Sequence, residues 1–274
     1  FDDILIAYPL WIDRPAAARL QQLAARVRLA IGCDSLESLA ALPSGVAEVM
    51  IEVDSGHHRS GVVPAAAGDL AGRLVAAGHV VRGVFTFPGH SYAPGAAAQV
   101  AADEASALLE AADGLRTAGV ADPQLSGGST PSLAFADGRL GEYRPGVYVF
   151  NDAQQWELGT CTPDQIALTC HARVVSRHAD RVVLDAGSKV LGADRAPYAT
   201  GAGRLLDDPQ ARIVQLSEHH AVVIAPRLPK LGSIVRVVPN HVCNAVNLAD
   251  RLHLLNDHGS AAGVWPVAAR GQNC

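Results

Sequence analysis

The stretch AEVMIEVDSGHHRSG, residues 47–61, shows the pattern on which the first half of the chain is built. Its first seven residues are rich in Val, Ile and Met, which is typical of a buried strand. A polar loop follows, and the alanine-rich segment 64–77 then begins with a proline, as helices often do. The stretch therefore predicts a strand–loop–helix unit whose polar residues gather at the end of the strand.

This unit recurs along residues 1–143. The apolar runs DILIAYP, VRLAIGCD, HVVRGVFTF and PQLSGGST predict further strands, and segments 15–25 and 95–118 predict helices. Such alternation is typical of a parallel sheet or an α/β barrel. A closed eight-stranded barrel needs about 250 residues. We therefore expect a TIM-like α/β barrel that is incomplete here, with its first strands supplied by sequence upstream of Phe1.

The pattern changes after residue 143. Short β patterns separated by turns follow one another, among them IALTCHARVVS, RVVLDAGS and GSIVRVVPN. Such a series predicts a mostly antiparallel β domain. We expect two domains, residues 1–143 and residues 144–274.

The net charge, the apolar runs and the cysteines of the chain limit which functions are plausible. A net charge of -5 without a basic stripe argues against nucleic acid as a partner. No apolar run approaches the roughly 20 residues of a membrane span. The five cysteines are scattered and include no CxxC motif, which favours a reduced, cytoplasmic protein over a disulfide-stabilised secreted one.

Three predicted strands end in unusually polar loops, EVDSGHHRSG, TFPGHSY and SGGSTPS. In parallel α/β folds the carboxyl ends of the strands meet at one rim, where binding and catalytic residues gather. The three loops together predict a functional site, although any one of them alone is also explained as a solvated loop.

The loop SGGSTPS, residues 126–132, has features of an anion-binding loop. Two glycines let the backbone approach a ligand closely, and Ser129 and Thr130 carry hydroxyl groups. Thr130 followed by Pro131 predicts an N-cap and the first turn of a helix, whose free N–H groups favour phosphate. A plain strand–turn–helix cap remains the alternative, and the absence of a following lysine excludes a Walker A loop.

His241 and Cys243 are two positions apart in the string VVPNHVCNAVNLAD. On an extended segment this spacing points both side chains the same way, and imidazole with thiolate suits Zn²⁺. Two ligands would leave positions open for water and substrate. Without other information, a buried free cysteine beside a hydrogen-bonded histidine is the more common arrangement.

Strings along nearly the whole chain carry a family resemblance: DILIAYPL, EVDSGHHRSG, GHSY, SGGSTPS, EYRPGVYVFND, DAGSKVLGAD, LSEHHAVV and PNHVCNAVNL. In content and order they resemble the D-threonine aldolase / D-serine dehydratase branch of the fold type III pyridoxal-phosphate enzymes, which have the alanine racemase fold. The C-terminal His-x-Cys is the metal motif of that branch and separates it from ordinary alanine racemases.

The resemblance implies a lyase that uses pyridoxal 5'-phosphate and a divalent metal, Zn or Mn with Mg as a third option, on a small D-amino acid. The expected reaction is the D-threonine aldolase type, which gives glycine and an aldehyde. The alternative is a D-serine or D-3-hydroxyaspartate dehydratase, which gives a 2-oxo acid and ammonia. A second alternative is a degenerate, non-catalytic relative that only binds the cofactor. The family also implies a homodimer.

Site residues follow from the matching strings. His241 and Cys243 would hold the metal. Arg59 would face the pyridine ring or its oxygen, and His90 and Tyr92 would lie near cofactor and substrate, with His90 as the acid/base group. The other cofactor-binding residues would be Ser126, Gly127, Gly128, Ser129, Thr130 and Tyr148.

Two details depart from the family pattern. Asn151 stands where the family tends to have an aromatic residue beside the pocket-bordering Asp152. The family's Schiff-base lysine lies on an early barrel strand, and neither Lys189 nor Lys230 is in a matching place. As given, the chain lacks that lysine, and we expect it to lie upstream.

Overall fold

The computed structural model describes residues 1–272, so Cys274 lies outside it. The chain divides into two compact units, Phe1–Gly146 and a second that begins at Val147. Each unit contains one six-stranded sheet.

The first unit is built from strands that alternate with helices. All six strands are parallel and follow one another in chain order across the sheet. In order, its elements are β1 Asp3–Pro9, α1 Arg14–Ala24, β2 Arg28–Cys33, β3 Glu48–Glu52, α2 Ala67–Ala76, β4 Val81–Phe85, α3 Ala97–Thr117, β5 Gln124–Gly127 and β6 Glu142–Tyr143.

Strand β3 shows how the sheet is packed. Val49 and Ile51 belong to the large core formed with the helices, whereas Met50 packs with Ala30 and Phe85 in a smaller cluster. This division follows from the two-residue period of a strand. Glu52 therefore shares the Met50 face, where few apolar side chains compete for space.

Helix α3 is the longest helix and covers the sheet with small and branched apolar side chains. Its face toward the core includes Leu108 and Leu115, both fully buried. Each such leucine contributes roughly 2 kcal/mol to stability through removal of its surface from water. The alanines between them have high helix propensity, which explains the uninterrupted 21-residue helix.

The second unit is mostly antiparallel. Its sheet has the order β10-β11-β8-β7-β12-β9, and a separate hairpin follows. Its elements are α4 Ala153–Leu158, β7 Cys170–Arg177, β8 Val182–Leu184, α5 Ser188–Leu191, β9 Arg204–Leu205, β10 Arg212–Leu216, β11 Ala221–Ile224, β12 Ile234–Val238, α6 Val242–Leu248, β13 Arg251–Leu255 and β14 Ala261–Pro266.

Two local expectations are wrong. The α-helix predicted after Thr130 is replaced by a short 3-10 turn, Leu133–Phe135, because Ser129 and Ser132 exchange hydrogen bonds and close the chain into a tight turn. His241 and Cys243 do not share an extended segment. His241 is extended, but helix α6 begins directly after it, so Cys243 lies on the first helical turn.

Candidate functional site

A cavity of about 380 Å³ opens at the carboxyl ends of the parallel strands of the first unit. Its lining combines two arginines with an aromatic ring and the end of β1: Ala7, Tyr8, Pro9, Arg59, Ser60, Phe87 and Arg144. The residues come from segments that follow β3, β4 and β6 as well as from β1 itself. Two of the three polar loops predicted from the sequence, those after β3 and β4, therefore meet at this rim, and the third, after β5, is joined to them by the Ser91–Ser129 hydrogen bond.

Arg144 connects several strand ends. Its Nε donates to the Ser126 hydroxyl at 2.7 Å, and its Nη2 donates to the Thr86 carbonyl at 2.6 Å. The guanidinium also lies 5.6 Å from the centre of the Phe85 ring. The same Ser126 hydroxyl donates to Glu142 at 2.5 Å. These bonds hold a positive charge at the cavity. Sequence reasoning missed Arg144, although it lies in the family string EYRPG.

Arg59 lies where the sequence predicted a cofactor contact, on the loop after β3. Its guanidinium stacks on Phe87, 5.1 Å from the ring centre. Nearby Glu52 is only 3% exposed, and its Oε2 has no hydrogen-bond partner among residues 1–272. Burial raises the pKa of the Glu52 carboxyl group, against a bond from Ser60 and the attraction of Arg59. Glu52 was also missed from the sequence.

His90 stacks on His57, with ring centres 6.4 Å apart and planes 13° apart. Burial lowers the pKa of both imidazoles, and the Arg59 charge further lowers that of His57. Within the described chain, His90 Nδ1 is buried without a hydrogen-bond partner. Tyr92 packs near Phe87, with ring centres 6.3 Å apart. Because its pKa is lowered, the His90 imidazole is mostly neutral at pH 7.

Glycines make room for this imidazole pair. A Cβ at Gly89 would lie 2.6 Å from the His57 ring, and one at Gly56 would lie 3.0 Å from His90 Nε2. The Gly89 distance is shorter than real Cβ contacts, and Gly56 also has a φ of 119°, in the left-handed region, so both positions favour glycine. The sequence already indicated this packing, since Gly56 directly precedes His57 and Gly89 directly precedes His90.

Hydrogen bonds to other parts of the first unit fix the loop after β5. Gly128 has a φ of 91°, in the left-handed region, and its N–H donates to Glu104 at 2.5 Å. The Ser129 hydroxyl bonds those of Ser91, at 2.7 Å, and Ser132, at 2.8 Å. The loops after β4 and β5 are thereby joined. The donors predicted for a phosphate are thus engaged with protein partners.

His241 and Cys243 do lie together in the second unit. A hydrogen bond with the Cys243 side chain raises the pKa of His241 to about 9, burial opposes the rise, and Asp194 adds to it. His241 Nδ1 lies 2.5 Å from Asp194 Oδ2, which leaves Nε2 as the ring atom for a ligand. Cys243 is exposed, so the buried-cysteine alternative does not hold.

Asp152 connects the metal candidates to the fold of the second unit. It is 1% exposed, and its carboxylate accepts from Gln155 N at 2.9 Å and from Val242 N at 3.1 Å. Asp152 therefore caps α4 and also binds the first residue of α6. That residue, Val242, lies between the two candidate metal ligands, His241 and Cys243.

The other residues singled out in the sequence are a tyrosine, the two lysines and two hydroxyl residues of the β5 loop. Tyr148 lies on a short 3-10 helix and is 53% exposed. Lys189 pairs with Glu218 at 2.7 Å, and both lysines of the chain belong to the second unit. Thr130 and Ser126 are buried at the end of β5.

The residues present fit an anionic pyridine cofactor and a metal. The cavity offers two guanidinium groups, and the orphaned Glu52 oxygen offers an acceptor to a bound N–H or O–H group. Imidazole and thiolate are ligands that Zn²⁺ prefers, and a carboxylate on the far ring nitrogen is the usual support of a metal-bound histidine. Across residues 1–272, no group of three or more acidic, His or Cys side chains is arranged to hold a metal. A metal here would therefore need further ligands.

Comparisons with known proteins agree with this architecture. The family model for the alanine racemase N-terminal domain matches residues 6–154, and that for a putative serine dehydratase domain matches residues 167–255. The D-threo-3-hydroxyaspartate dehydratase of Delftia sp. is 32% identical over 88% of this chain and 72% of its own length. The chain belongs to the D-threonine aldolase / D-serine dehydratase-like family.

A second relative and a solved structure are similar over more than nine tenths of this chain. The D-threonine aldolase of Arthrobacter sp. is 30% identical over 93% of this chain and 70% of its own length. The crystal structure of the Delftia dehydratase superimposes with a TM-score of 0.84 at 28% identity, covering 96% of this chain and 78% of its own. The predicted fold, an α/β barrel-type domain of the alanine racemase kind followed by a mostly antiparallel β domain, is confirmed.

D-threo-3-hydroxyaspartate dehydratase has also been solved with a histidine replaced by alanine and, separately, with a cysteine two positions later replaced by alanine. The cysteine variant is in a metal-free form. This family member therefore has a His and a Cys at the spacing of His241 and Cys243. Among the described residues, no helix is both long and apolar enough to span a membrane.

Proposed function

We propose that the protein is a pyridoxal-phosphate- and metal-dependent dehydratase of D-β-hydroxy amino acids, which forms a 2-oxo acid and ammonia. The His241-x-Cys243 pair with its Asp194 support carries the metal dependence of this proposal. The 32% identity to the Delftia dehydratase, against 30% to the Arthrobacter aldolase, favours elimination over the aldolase cleavage expected from the sequence. We also propose that it acts as a cytoplasmic homodimer on small D-amino acids.

The cavity of the first unit would hold the cofactor. Arg59 and Arg144 would balance its negative charge, and the Ser126–Thr130 loop would seat its phosphate once Ser129 exchanges its internal bonds for bonds to the phosphate. Tyr92 would complete the cofactor contacts of the first unit, while the cofactor contact predicted for Tyr148, a residue of the second unit, stays a prediction. Bound there, pyridoxal phosphate supplies an electron-withdrawing ring that stabilises negative charge at the substrate's α carbon.

His90 is the proposed acid/base group. Its lowered pKa keeps the imidazole neutral at pH 7, and its buried Nδ1 is available to accept or return a proton. Because β-elimination expels hydroxide, a proton delivered to that oxygen makes it leave as water. His57, stacked on His90, would limit the rotation of the ring.

The metal would be held by His241 and Cys243. Asp194 would fix the histidine with Nδ1 protonated, so that Nε2 presents its lone pair. When bound, a divalent metal would supply a Lewis acid that favours departure of the substrate's hydroxyl group. Zn²⁺ suits imidazole and thiolate best, with Mn²⁺ and Mg²⁺ as the other candidates.

The second candidate reaction is the aldolase cleavage to glycine and an aldehyde. The similarity of the Arthrobacter aldolase, 30% identical over 93% of this chain, favours it almost equally. The two reactions begin differently, since elimination removes the α proton whereas the aldolase reaction breaks the Cα–Cβ bond.

Product analysis with D-threonine separates the two. The full-length protein, supplied with pyridoxal phosphate and Zn²⁺ or Mn²⁺, is expected to release 2-oxobutyrate and ammonia. Glycine and acetaldehyde would show the aldolase instead. If neither pair formed from D-threonine, D-serine or D-threo-3-hydroxyaspartate, the protein would be a non-catalytic relative.

A further inference from the structure

Helix α3 carries a buried carboxyl group in the middle of its apolar face. Glu104 is 2% exposed, and its helix neighbours Ala101, Ala105 and Leu108 are buried core residues. Burying a carboxyl group costs free energy unless it is hydrogen-bonded, and an apolar residue would pack here without that cost. A role for the carboxyl group itself is therefore indicated.

The group that Glu104 binds is the Gly128 amide of the loop after β5. Oε1 accepts this hydrogen bond at 2.5 Å, across 24 positions of the chain. Burial raises the pKa of the Glu104 carboxyl group to about 7, while the Gly128 bond and the Arg144 charge oppose the rise. This hydrogen bond between the α3 carboxylate and the loop backbone is buried.

The two loop glycines leave room for neighbouring side chains, Gly127 for the Glu104 carboxyl group and Gly128 for Tyr143. A Cβ at Gly127 would lie 2.3 Å from Glu104 Oε1, and a Cβ at Gly128 would lie 2.9 Å from Tyr143 Cδ1. Gly128 also has the positive φ that other residues rarely adopt. The carboxyl group and the two glycines thus define one conformation of the loop.

We propose that Glu104 is a positioning residue, which holds the Gly127–Thr130 loop in the conformation that binds the phosphate of the cofactor. This inference rests on the proposed function, in which that loop seats the phosphate. Glu104 does not line the cavity. It acts through the Gly128 amide, whose direction sets the path of the backbone into Ser129.

The test compares Glu104→Ala and Glu104→Gln with the control Glu110→Ala, which changes an exposed glutamate of the same helix. In full-length protein, the Kd for pyridoxal phosphate is measured by absorbance titration, and the melting temperature is measured without ligand. We expect Glu104→Ala to weaken binding at least tenfold, Glu104→Gln to stay within threefold because its amide oxygen still accepts, and Glu110→Ala to match the wild type. A Kd unchanged in Glu104→Ala, with only a lower melting temperature, would show a purely structural role.

A second readout does not depend on the cofactor. Hydrogen–deuterium exchange of segment 125–132 in ligand-free protein should be at least tenfold faster in Glu104→Ala than in wild type. Unchanged exchange overturns the proposal. Faster exchange in a protein that binds no pyridoxal phosphate would instead leave the positioning role intact and refute the cofactor assignment.

If Glu104→Ala does not fold, Gly127→Ala provides the same test, because its methyl group would displace the carboxylate. We expect it to weaken pyridoxal phosphate binding at least tenfold, and an unchanged Kd would refute the proposal.

Discussion

Asp194 is the residue on which the geometry of the candidate metal site depends most. It holds His241 Nδ1 at 2.5 Å, and its second oxygen is buried without a partner in the described part of the chain. Carboxylates in this position fix the tautomer and orientation of a metal-bound histidine.

Replacing Asp194 should therefore weaken metal binding without removing a ligand. We expect Asp194→Asn to raise the Kd for Zn²⁺ about 10–100-fold, because the amide is a poorer acceptor for Nδ1–H. Competition with a chromogenic chelator measures this Kd. Asp250→Asn, which changes an exposed carboxylate of the same unit, is the control. Equal Kd values for both variants would argue against the supporting role.

Glu104 makes stability depend on pH in an unusual direction. Its pKa is raised from 4.5 to about 7 in the folded protein, so the folded protein keeps a proton that the unfolded chain releases above about pH 4.5. Its contribution to stability is therefore fully present below pH 4.5 and is lost as the pH rises toward 7, by roughly 3 kcal/mol in total.

Melting temperatures across this window test the sign. From pH 5 to pH 8 the wild type should lose stability relative to Glu104→Gln, whose amide does not titrate. If the melting temperatures of the two proteins changed with pH by equal amounts across that range, Glu104 would have an ordinary pKa.

At the scale of elements, the first unit follows its sequence closely. Strand–helix alternation, the alanine-rich α2 and α3 and the polar strand ends could all be predicted, because hydrophobic period and local propensity agree there. Helix α6 could not be predicted in the same way, because its start depends on Asp152, which is 90 positions away from Val242.

The site was predictable to a similar degree. Arg59, His90 and Tyr92 lie at the strand ends where their motifs placed them, near the cavity or its neighbouring loops. Arg144 and Asp194 escaped prediction, because their roles depend on partners 58 and 47 positions away. Pairings at such separations are set by packing, which a local motif does not report.

Asp152 provides a prediction at this scale, because one carboxylate serves both α4 and α6. Asp152→Ala should lower the free energy of unfolding by about 1–3 kcal/mol, since it leaves buried N–H groups at two helix starts without acceptors. It should also weaken metal binding by disordering the backbone between His241 and Cys243. Chemical denaturation and metal titration measure these effects.

The control for this prediction is Asp180→Ala, which removes an exposed carboxylate paired with exposed Arg181. A stability loss equal in Asp152→Ala and Asp180→Ala would contradict the capping role. Unchanged metal affinity in a destabilised Asp152→Ala protein would separate the cap from the metal site.

At the scale of the whole molecule, the two units divide the proposed chemistry. The first has the arginine-lined cavity and the imidazole pair, and the second has the His-x-Cys pair with its carboxylate. Similarity to the dehydratase and aldolase relatives extends across both units.

The most direct test of this account is metal dependence of ammonia release from D-threo-3-hydroxyaspartate by the full-length protein saturated with pyridoxal phosphate. We expect a chelator to reduce the rate at least tenfold, Zn²⁺ or Mn²⁺ to restore it, and Cys243→Ala to resist restoration, while the control His258→Ala, at an exposed histidine, behaves as wild type. A rate of ammonia release that survives both chelation and Cys243→Ala would contradict the account.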